Sequence, residues 1–332
     1  MTKPIVSVNM PVFNCVKFLP QAIDSILNQT FQNFELLIDS TGSTDGTSEM
    51  VESYQQKDKR IIHESSGQKI DICTKCNHIA NRSVGKYLSR MDGDDISLPQ
   101  RFEKQVAYLD KHPDIAVLGC NDVYINQAGK VIGYNSVDGA NDAGDYNIAD
   151  MEIKHPLRDY CTDPNKIVDI VAAAFCPIEN PAMMMRFQVY QEIGGYRKQF
   201  SFSEDLDLWM RLNRAGYRFM NLRDILFHYR IGDNNSSRRN GYKVALQHTL
   251  LRQSQRDIMD GKPDPLHGLQ EGDFTIDKVK ALCRDSTDIV KYFSGILYGI
   301  LRQVATAQFI DAPPDKILMA DTIKLVEQMM NN

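Results

Sequence analysis

Three carboxylates crowd into four positions at Asp92, Gly93, Asp94 and Asp95. Like charges that close raise one another's pKa, and a divalent cation relieves the repulsion. Mg2+ or Mn2+ takes oxygen ligands and typically uses one or two carboxylates plus substrate phosphates, so the cluster suits a metal shared with a diphosphate. The competing reading is a solvated Asp/Gly turn. A second acidic group, Glu204, Asp205 and Asp207, opens the segment SEDLDLWMRL, where Ser203 is a candidate N-cap. A helix dipole favours acids in a first turn whether or not they do chemistry, and the same field keeps a carboxylate ionised and able to accept a proton. Asp205 and Trp209 are four apart, hence on one helix face, so an acid beside an indole could meet a sugar. The alternative is that Trp209, Leu208 and Leu212 are core. A third candidate is Asp39, which ends the apolar run of FELLIDSTGSTDGT before a turn rich in Ser, Thr and Gly.

These residues need elements to position them, and the first half of the chain alternates strand-like and helix-like segments, the pattern of an α/β domain with a mostly parallel sheet. Ile5–Met10 is an apolar run ended by Pro11, after which Val16, Leu19, Ile23, Ile26 and Leu27 recur at helical spacing. Phe34–Ile38 and Arg60–His63 read as strands, Ser43–Tyr54 as a turn into a helix, and Ile79–Ser83 as the end of a helix that feeds a strand at Tyr87–Met91. Ser97 as cap and Pro99 at the first helical position predict the next helix, with Phe102, Val106 and Leu109 on one face. Ile115–Tyr124 reads as a strand followed by a hairpin turn at Asn126–Gly129; residues 136–165 read as a surface insertion. Tyr217–Asn221 and Ile225–Arg230 are predicted as two short strands. Residues 238–332 read as a helical region, in which Val290, Phe293, Ile296, Leu297, Ile300, Leu301 and Val304 trace one apolar stripe. In open α/β sheets ligands sit beyond the carboxyl ends of the strands. PVFN, the Asp39 turn and DGDD all fall at such ends, and their convergence would make one crevice.

Composition narrows the class of partner. With 42% hydrophobic and 24% charged residues the chain can bury a large core, and no window approaches a membrane-spanning apolar run. A net charge of -5 argues against a nucleic-acid binder. Seven cysteines without a secretory leader fit free thiols in a reducing, cytoplasmic compartment. Cys73 and Cys76 in CTKC have zinc or redox spacing, but no second CxxC completes a site, so buried or incidental thiols are the stronger reading.

In order along the chain, VSVNMPVFN, LPQAIDSILNQTFQNFELLI, GSTDGT, GKYLSRMDGDD, LPQRFEKQ, IGGYRKQF, SEDLDLWMRL and HYRIGDNNSS resemble the motifs of the inverting family 2 glycosyltransferases with the GT-A fold. The resemblance implies a Rossmann-like, nucleotide-binding GT-A domain over residues 1–237, followed by the helical C-terminal region of 238–332. It implies a nucleotide-sugar donor, a UDP-sugar foremost, a glycan or lipid-linked acceptor, and Mn2+ or Mg2+. By the same resemblance Pro11, Phe13 and Asn14 line the base and ribose, Asp92 and Asp94 hold ribose and metal, and Asp95 orients that loop beside the sugar. Asp205 is the general base, Glu204 its companion near the acceptor, and His228 and Arg230 lie in the strand that closes over the diphosphate. Peripheral contact with the inner membrane face and a homodimer through the C-terminal helices are compatible with this picture.

The chain also departs from the pattern. The family carries two adjacent acids where Ser40 and Thr41 stand, and Asp39 is one residue early; a bulge must re-aim it, or Ser40 and Thr41 supply neutral hydrogen bonds to the base. Lys75 is a candidate phosphate partner in a segment lacking the family's Arg, and Gly232 stands where the family places a His. A degenerate nucleotide-binding or scaffolding module of the same fold is the alternative function.

Overall fold

The computed structural model describes residues 3–135, 153–154, 164–165, 167, 171, 176, 178–232 and 241–270. The first apolar runs form the expected strands, β1 (Val6–Pro11), β2 (Phe34–Asp39), β3 (Ile61–Glu64) and β4 (Tyr87–Arg90), which pair in parallel in the order β3-β2-β1-β4. Their connections are α1 (Leu19–Leu27), α2 (Thr47–Gln55) and α3 (Ile72–Arg82). Beyond β4 the sheet turns mixed. The short β9 (Met184–Arg186) runs antiparallel to both β4 and β6 (Ile115–Ile125), β6 pairs in parallel with β10 (Arg218–Arg230), and β5 (Ile96–Ser97) closes that edge. The hairpin turn at 126–129 is present and leads into β7 (Val131–Asn135), which carries β8 (Ile153–Lys154).

The sheet buries both faces. On one, α1, α2 and α4 (Arg101–Lys111) cover Val6, Val8, Met10, Leu36 and Ile38; on the other, α3, α5 (Phe187–Glu192), α6 (Glu204–Arg214) and α7 (Gly241–Met259) surround Leu88, Val117 and Met185. Cys73 and Cys76 sit fully buried on the inner stripe of α3, where desolvation pushes both thiols up, Cys76 to about 12. They are packing residues, and the described cysteines are free.

Three local expectations change. Ser97 belongs to β5 and donates its N–H to Ser25 Oγ at 3.0 Å, and α4 begins at Arg101 after Gln100. The two late strands are one, because β10 absorbs the polar stretch between Leu222 and Ile225 as a register shift against β6. Ser203 stands at the N-cap of α6 but makes no capping bond, and its hydroxyl is buried unpaired. In helix α7, Leu250 and Leu251 join the core shared with α6. Most of the 136–165 insertion and the apolar stripe of Val290 to Val304 lie outside the described residues.

Candidate active site

The three polar strand ends meet, and side chain–backbone hydrogen bonds join the first two. Asn14, held at a positive φ of 49°, accepts the Thr44 N–H at 2.8 Å, while its own N–H reaches Ser43 Oγ at 3.2 Å. Asp45 accepts the N–H groups of Val16 and Thr47, so the PVFN loop and the GSTDG turn form one ledge. The DGDD loop lies against that ledge so closely that a Cβ on Gly93 would stand 2.6 Å from Cys15 Sγ and 2.8 Å from Val12 Cγ1. Any larger residue between the two acids would have to push the Cys15 and Val12 side chains aside.

Within DGDD each carboxylate has its own surroundings. Asp92 forms an ion pair with Arg90 at 2.9 Å, and Arg90 is itself buried. Burial opposes the Arg90 charge, but Asp92, with Cys76, Tyr196 and Glu204 behind it, more than offsets that cost and holds the guanidinium above its usual range. Asp94 is pushed up to about 6 by burial and then by Asp92. Asp95 faces away from the crevice, accepting the Arg230 N–H at 2.7 Å, and burial together with its neighbouring acids raises it well above the carboxylate range. Its work is to anchor the loop. Arg230 is likewise committed: it donates to the Asp94, Asn126 and Gln127 carbonyls and to Gln21 Oε1, and stacks over Phe18 at 4.6 Å. These bonds tie the DGDD loop to the turn at Asn126 and Gln127 and to α1. His228 is pushed down to about 4 by burial and by Arg230, which leaves it neutral near pH 7.

The first turn of α6 brings the second acid pair to the same place. Asn180 Nδ2 donates to Glu204 Oε1 at 3.4 Å, and Tyr196 donates its hydroxyl to Asn180 Oδ1 at 2.8 Å. Burial, then Asp205, lifts Glu204 to about 8; Arg90 pulls it down and Asp92 pushes it up, so both acid clusters act on it. Asp205 remains half-exposed in the first turn and accepts the Leu206 N–H at 2.7 Å. Trp209 does not reach this crevice. It is fully buried, edge-on to Phe219 at 6.1 Å, so of the two sequence alternatives the structure takes the core, and the indole is removed from the sugar contacts.

At the β2 end the bulge that would re-aim Asp39 is absent: Asp39 stays in register, opposite Pro11 on β1 and Glu64 on β3. Because Leu36 and Ile38 face the α1/α2/α4 side, alternation puts Asp39 on the α3 side. Oδ1 accepts the Thr41 N–H at 2.8 Å, and Oδ2 is buried without a partner. Ser40 is occupied elsewhere, with His63 Nε2 at 2.7 Å and Ser48 Oγ at 2.8 Å, and Thr41 Oγ1 accepts the Ser66 N–H at 3.2 Å. Phe13 is 42% exposed, unusual for so large an apolar side chain. Two lysines attend its ring: Lys69 Nζ at 4.6 Å and Lys75 Nζ at 5.6 Å from the centroid. Lys75 also donates to the Val12 carbonyl at 2.6 Å, which puts it at the Phe13 and Asp39 end of the ledge and not among the DGDD carboxylates. Lys69 was not a sequence candidate. Its only local signal is a turn lysine in SSGQKID, and its backbone packs on Gly42, 27 residues earlier in the chain, whose added Cβ would meet Lys69 Cα at 2.6 Å.

With this geometry in place, a profile described as "Glycosyl transferase family 2" matches residues 7–169. The putative glycosyltransferase EpsE of Bacillus subtilis is 30% identical over 253 residues, covering 75% of this chain and 80% of EpsE. The chain belongs to glycosyl transferase family 2. The O-antigen biosynthesis glycosyltransferase WbnJ of Escherichia coli is 31% identical over 239 residues, 70% of this chain and 82% of WbnJ. Solved structures agree on the GT-A fold. TarS 1-349 of S. aureus in complex with UDP-GlcNAc aligns with a TM-score of 0.56 at 15% identity, covering 89% of this chain and 80% of TarS. The mannosyltransferase PcManGT of Pyrobaculum calidifontis, in complex with GDP-Man and Mn2+, aligns with a TM-score of 0.54 at 13% identity, covering 98% and 81%. Among the described residues no helix is long and apolar enough to cross a membrane.

Proposed function

We propose that this glycosyltransferase moves a hexosyl or N-acetylhexosaminyl group from a nucleotide-diphosphate donor, a UDP-sugar foremost, to an acceptor hydroxyl with inversion. The supporting observation is the meeting of two acid clusters beyond the strand ends, with Arg90 paired to Asp92 and acting on Glu204. The acceptor oxygen forms a bond to the anomeric carbon as the bond to the diphosphate breaks on the opposite face, and Asp205 takes the hydroxyl proton. Asp205 suits that role because the α6 dipole keeps a first-turn carboxylate ionised. Glu204, held protonated near neutrality, is suited to donate a hydrogen bond beside it.

A divalent cation fits the donor set. Burial and Asp92 have raised Asp94, and a cation would relieve that strain. Among the described residues no three His, Cys, Asp or Glu side chains form a metal cage, so the remaining ligands would be diphosphate oxygens and water. Asp94 and Asp92 would hold Mn2+ or Mg2+, which supplies charge neutralisation on the departing diphosphate.

The role of WbnJ in O-antigen biosynthesis and the UDP-GlcNAc bound by TarS favour surface polysaccharide or glycoconjugate synthesis, which on this reading takes place at the cytoplasmic, inner face of the membrane. The test is a screen of nucleotide sugars with Mn2+ or Mg2+ and a lipid-linked glycan acceptor, reading the nucleoside diphosphate released and the anomer formed. Release from one donor class with inverted product is expected; a protein that binds nucleotides yet turns over none of them would leave only the scaffolding alternative.

A further inference from the structure

A line of polar side chains reaches Glu204 from inside the protein, and it begins on α3. Asn77 Oδ1 accepts the Tyr196 N–H at 3.0 Å and the Tyr190 hydroxyl at 2.6 Å, while its Nδ2 donates to the Tyr196 carbonyl at 2.8 Å. All three bonds agree on one orientation of the Asn77 amide. The turn before Tyr196 is pressed onto that amide, because a Cβ on Gly195, held at a φ of 66°, would stand 2.6 Å from Asn77 Oδ1 and 3.0 Å from the Tyr190 hydroxyl. Fixed at its backbone, Tyr196 packs edge-on to Tyr190 at 5.7 Å and donates its hydroxyl to Asn180 Oδ1 at 2.8 Å. With its carbonyl oxygen taken, Asn180 turns its amide nitrogen to Glu204 Oε1 at 3.4 Å. Tyr196 and Asn180 are 3% and 6% exposed, so they act on a substrate only through Glu204.

Building on the glycosyltransferase reading above, we propose that Tyr196 and Asn180 are positioning residues for the acid pair, turning Glu204 Oε1 to the Asn180 amide and leaving Oε2 for the substrate. A protonated carboxyl whose one oxygen accepts an amide N–H carries its proton on the other, so the chain also fixes where the Glu204 proton stands. The phenol matters because the two ends of an amide fill the same space. Without a donor on Oδ1, the Asn180 side chain can turn over and set its own lone pairs against Oε1. The charges acting on Glu204 come from Asp205 on its own helix and from Arg90 and Asp92 at the end of β4, and Glu204 acts in turn on Cys73 and Cys76 of α3 and on Tyr196. The amide adds direction to that field and no charge.

The measurement is initial-rate kinetics of the full chain as wild type, Tyr196→Phe, Asn180→Leu and the double variant, with UDP-GlcNAc, UDP-glucose and GDP-mannose as donors and nucleoside diphosphate release as the readout. Tyr196→Phe keeps its ring on Tyr190 and should lower kcat about tenfold, with donor KM changed by less than about twofold, because one buried hydrogen bond is lost away from the nucleotide. Asn180→Leu should lower kcat further. It should also move the alkaline limb of the kcat profile to higher pH, since an N–H that favours the ionised carboxylate is gone. The double variant should match Asn180→Leu within about twofold, because Tyr196 acts only through Asn180. Losses that multiply in the double variant would overturn the inference, as would a Tyr196→Phe protein with wild-type kcat. If Asn180→Leu does not fold, the kcat and KM of Tyr196→Phe decide alone. Either negative result leaves the glycosyltransferase reading standing, whereas a wild type that releases nucleoside diphosphate from no donor would overturn both.

Discussion

Glu204 and Asp205 are adjacent in sequence and of the same chemical type, and the charge of one acts on the other. Glu204, partly buried as Asp205 is, is lifted to about 8 by burial and then by the charge of Asp205. An acid whose pKa is higher in the folded chain than in the unfolded one loses stability as pH rises between the two values, here from 4.5 to about 8. Glu204→Gln should therefore match wild type in thermal unfolding at pH 4 and exceed it at pH 9 by about 1 kcal/mol or more. Asp94 adds a smaller contribution of the same sign between 3.8 and about 6. A constant difference between variant and wild type across that range would refute the protonation assignment. The division of labour between clusters has a separate test. Asp205→Asn should abolish transfer with nucleotide affinity nearly intact, whereas Asp94→Ala should weaken Mn2+-dependent nucleotide binding; unchanged binding in the Asp94 variant, read by calorimetry, would count against it.

The strand ends were legible because each apolar run stops at a polar cluster: PVFN after β1, DSTG after β2 and DGDD after β4 all lie where periodicity placed them. What periodicity could not supply is the direction of a face or a contact made at long range. Asp205 and Trp209 do share one face of α6, but which part of that face looks inward depends on Phe219 in β10, and spacing within the helix carries no trace of it. Arg230 has the same history: its partners lie at Gln21, Asp94, Asp95 and Asn126, so its role as a clamp appears only when β10 is beside β6 and the DGDD loop. Ser97 looked like a cap because Pro99 followed it, yet the sheet claimed it as an edge residue of β5. The element most exposed to a test is the DGDD loop, whose glycine leaves no room for a methyl group against Cys15 and Val12. Gly93→Ala should destabilise the fold by about 1–3 kcal/mol and weaken nucleotide binding further than that loss of folded protein explains. Adding Cys15→Ala should recover part of both, because it removes the nearer of the two clashing atoms; a Gly93→Ala protein with wild-type Tm and nucleotide affinity would show that the loops are not in this contact.

At the scale of the whole chain, the one described helix beyond residue 237 packs on the core of what precedes it. Helix α7 lays Leu250 and Leu251 against the α3/α6 side of the sheet. It also reaches the approach to α6: Gln247 accepts the Phe202 N–H at 3.1 Å and donates to the Gln199 carbonyl at 2.9 Å, while Arg214 in α6 bonds to Gln255 at 3.1 Å. These contacts hold residues 199–202, the segment that delivers Glu204 and Asp205 to the crevice, so α7 acts on both stability and the site. Leu250→Ala should cost about 2–5 kcal/mol by transfer and cavity terms. Gln247→Ala removes no apolar surface and should cost about 1 kcal/mol, yet lower kcat with little change in donor KM, because it loosens the acid pair and leaves the base ledge at Phe13 and Asp39 untouched. Ending the chain after Ser237 should remove both effects at once and yield a protein with a strongly lowered Tm and exposed apolar surface. Thermal unfolding of that truncated chain alongside the two point variants decides the matter: an undiminished Tm in the truncation would mean that residues 1–237 complete their own core and that α7 merely rests on it.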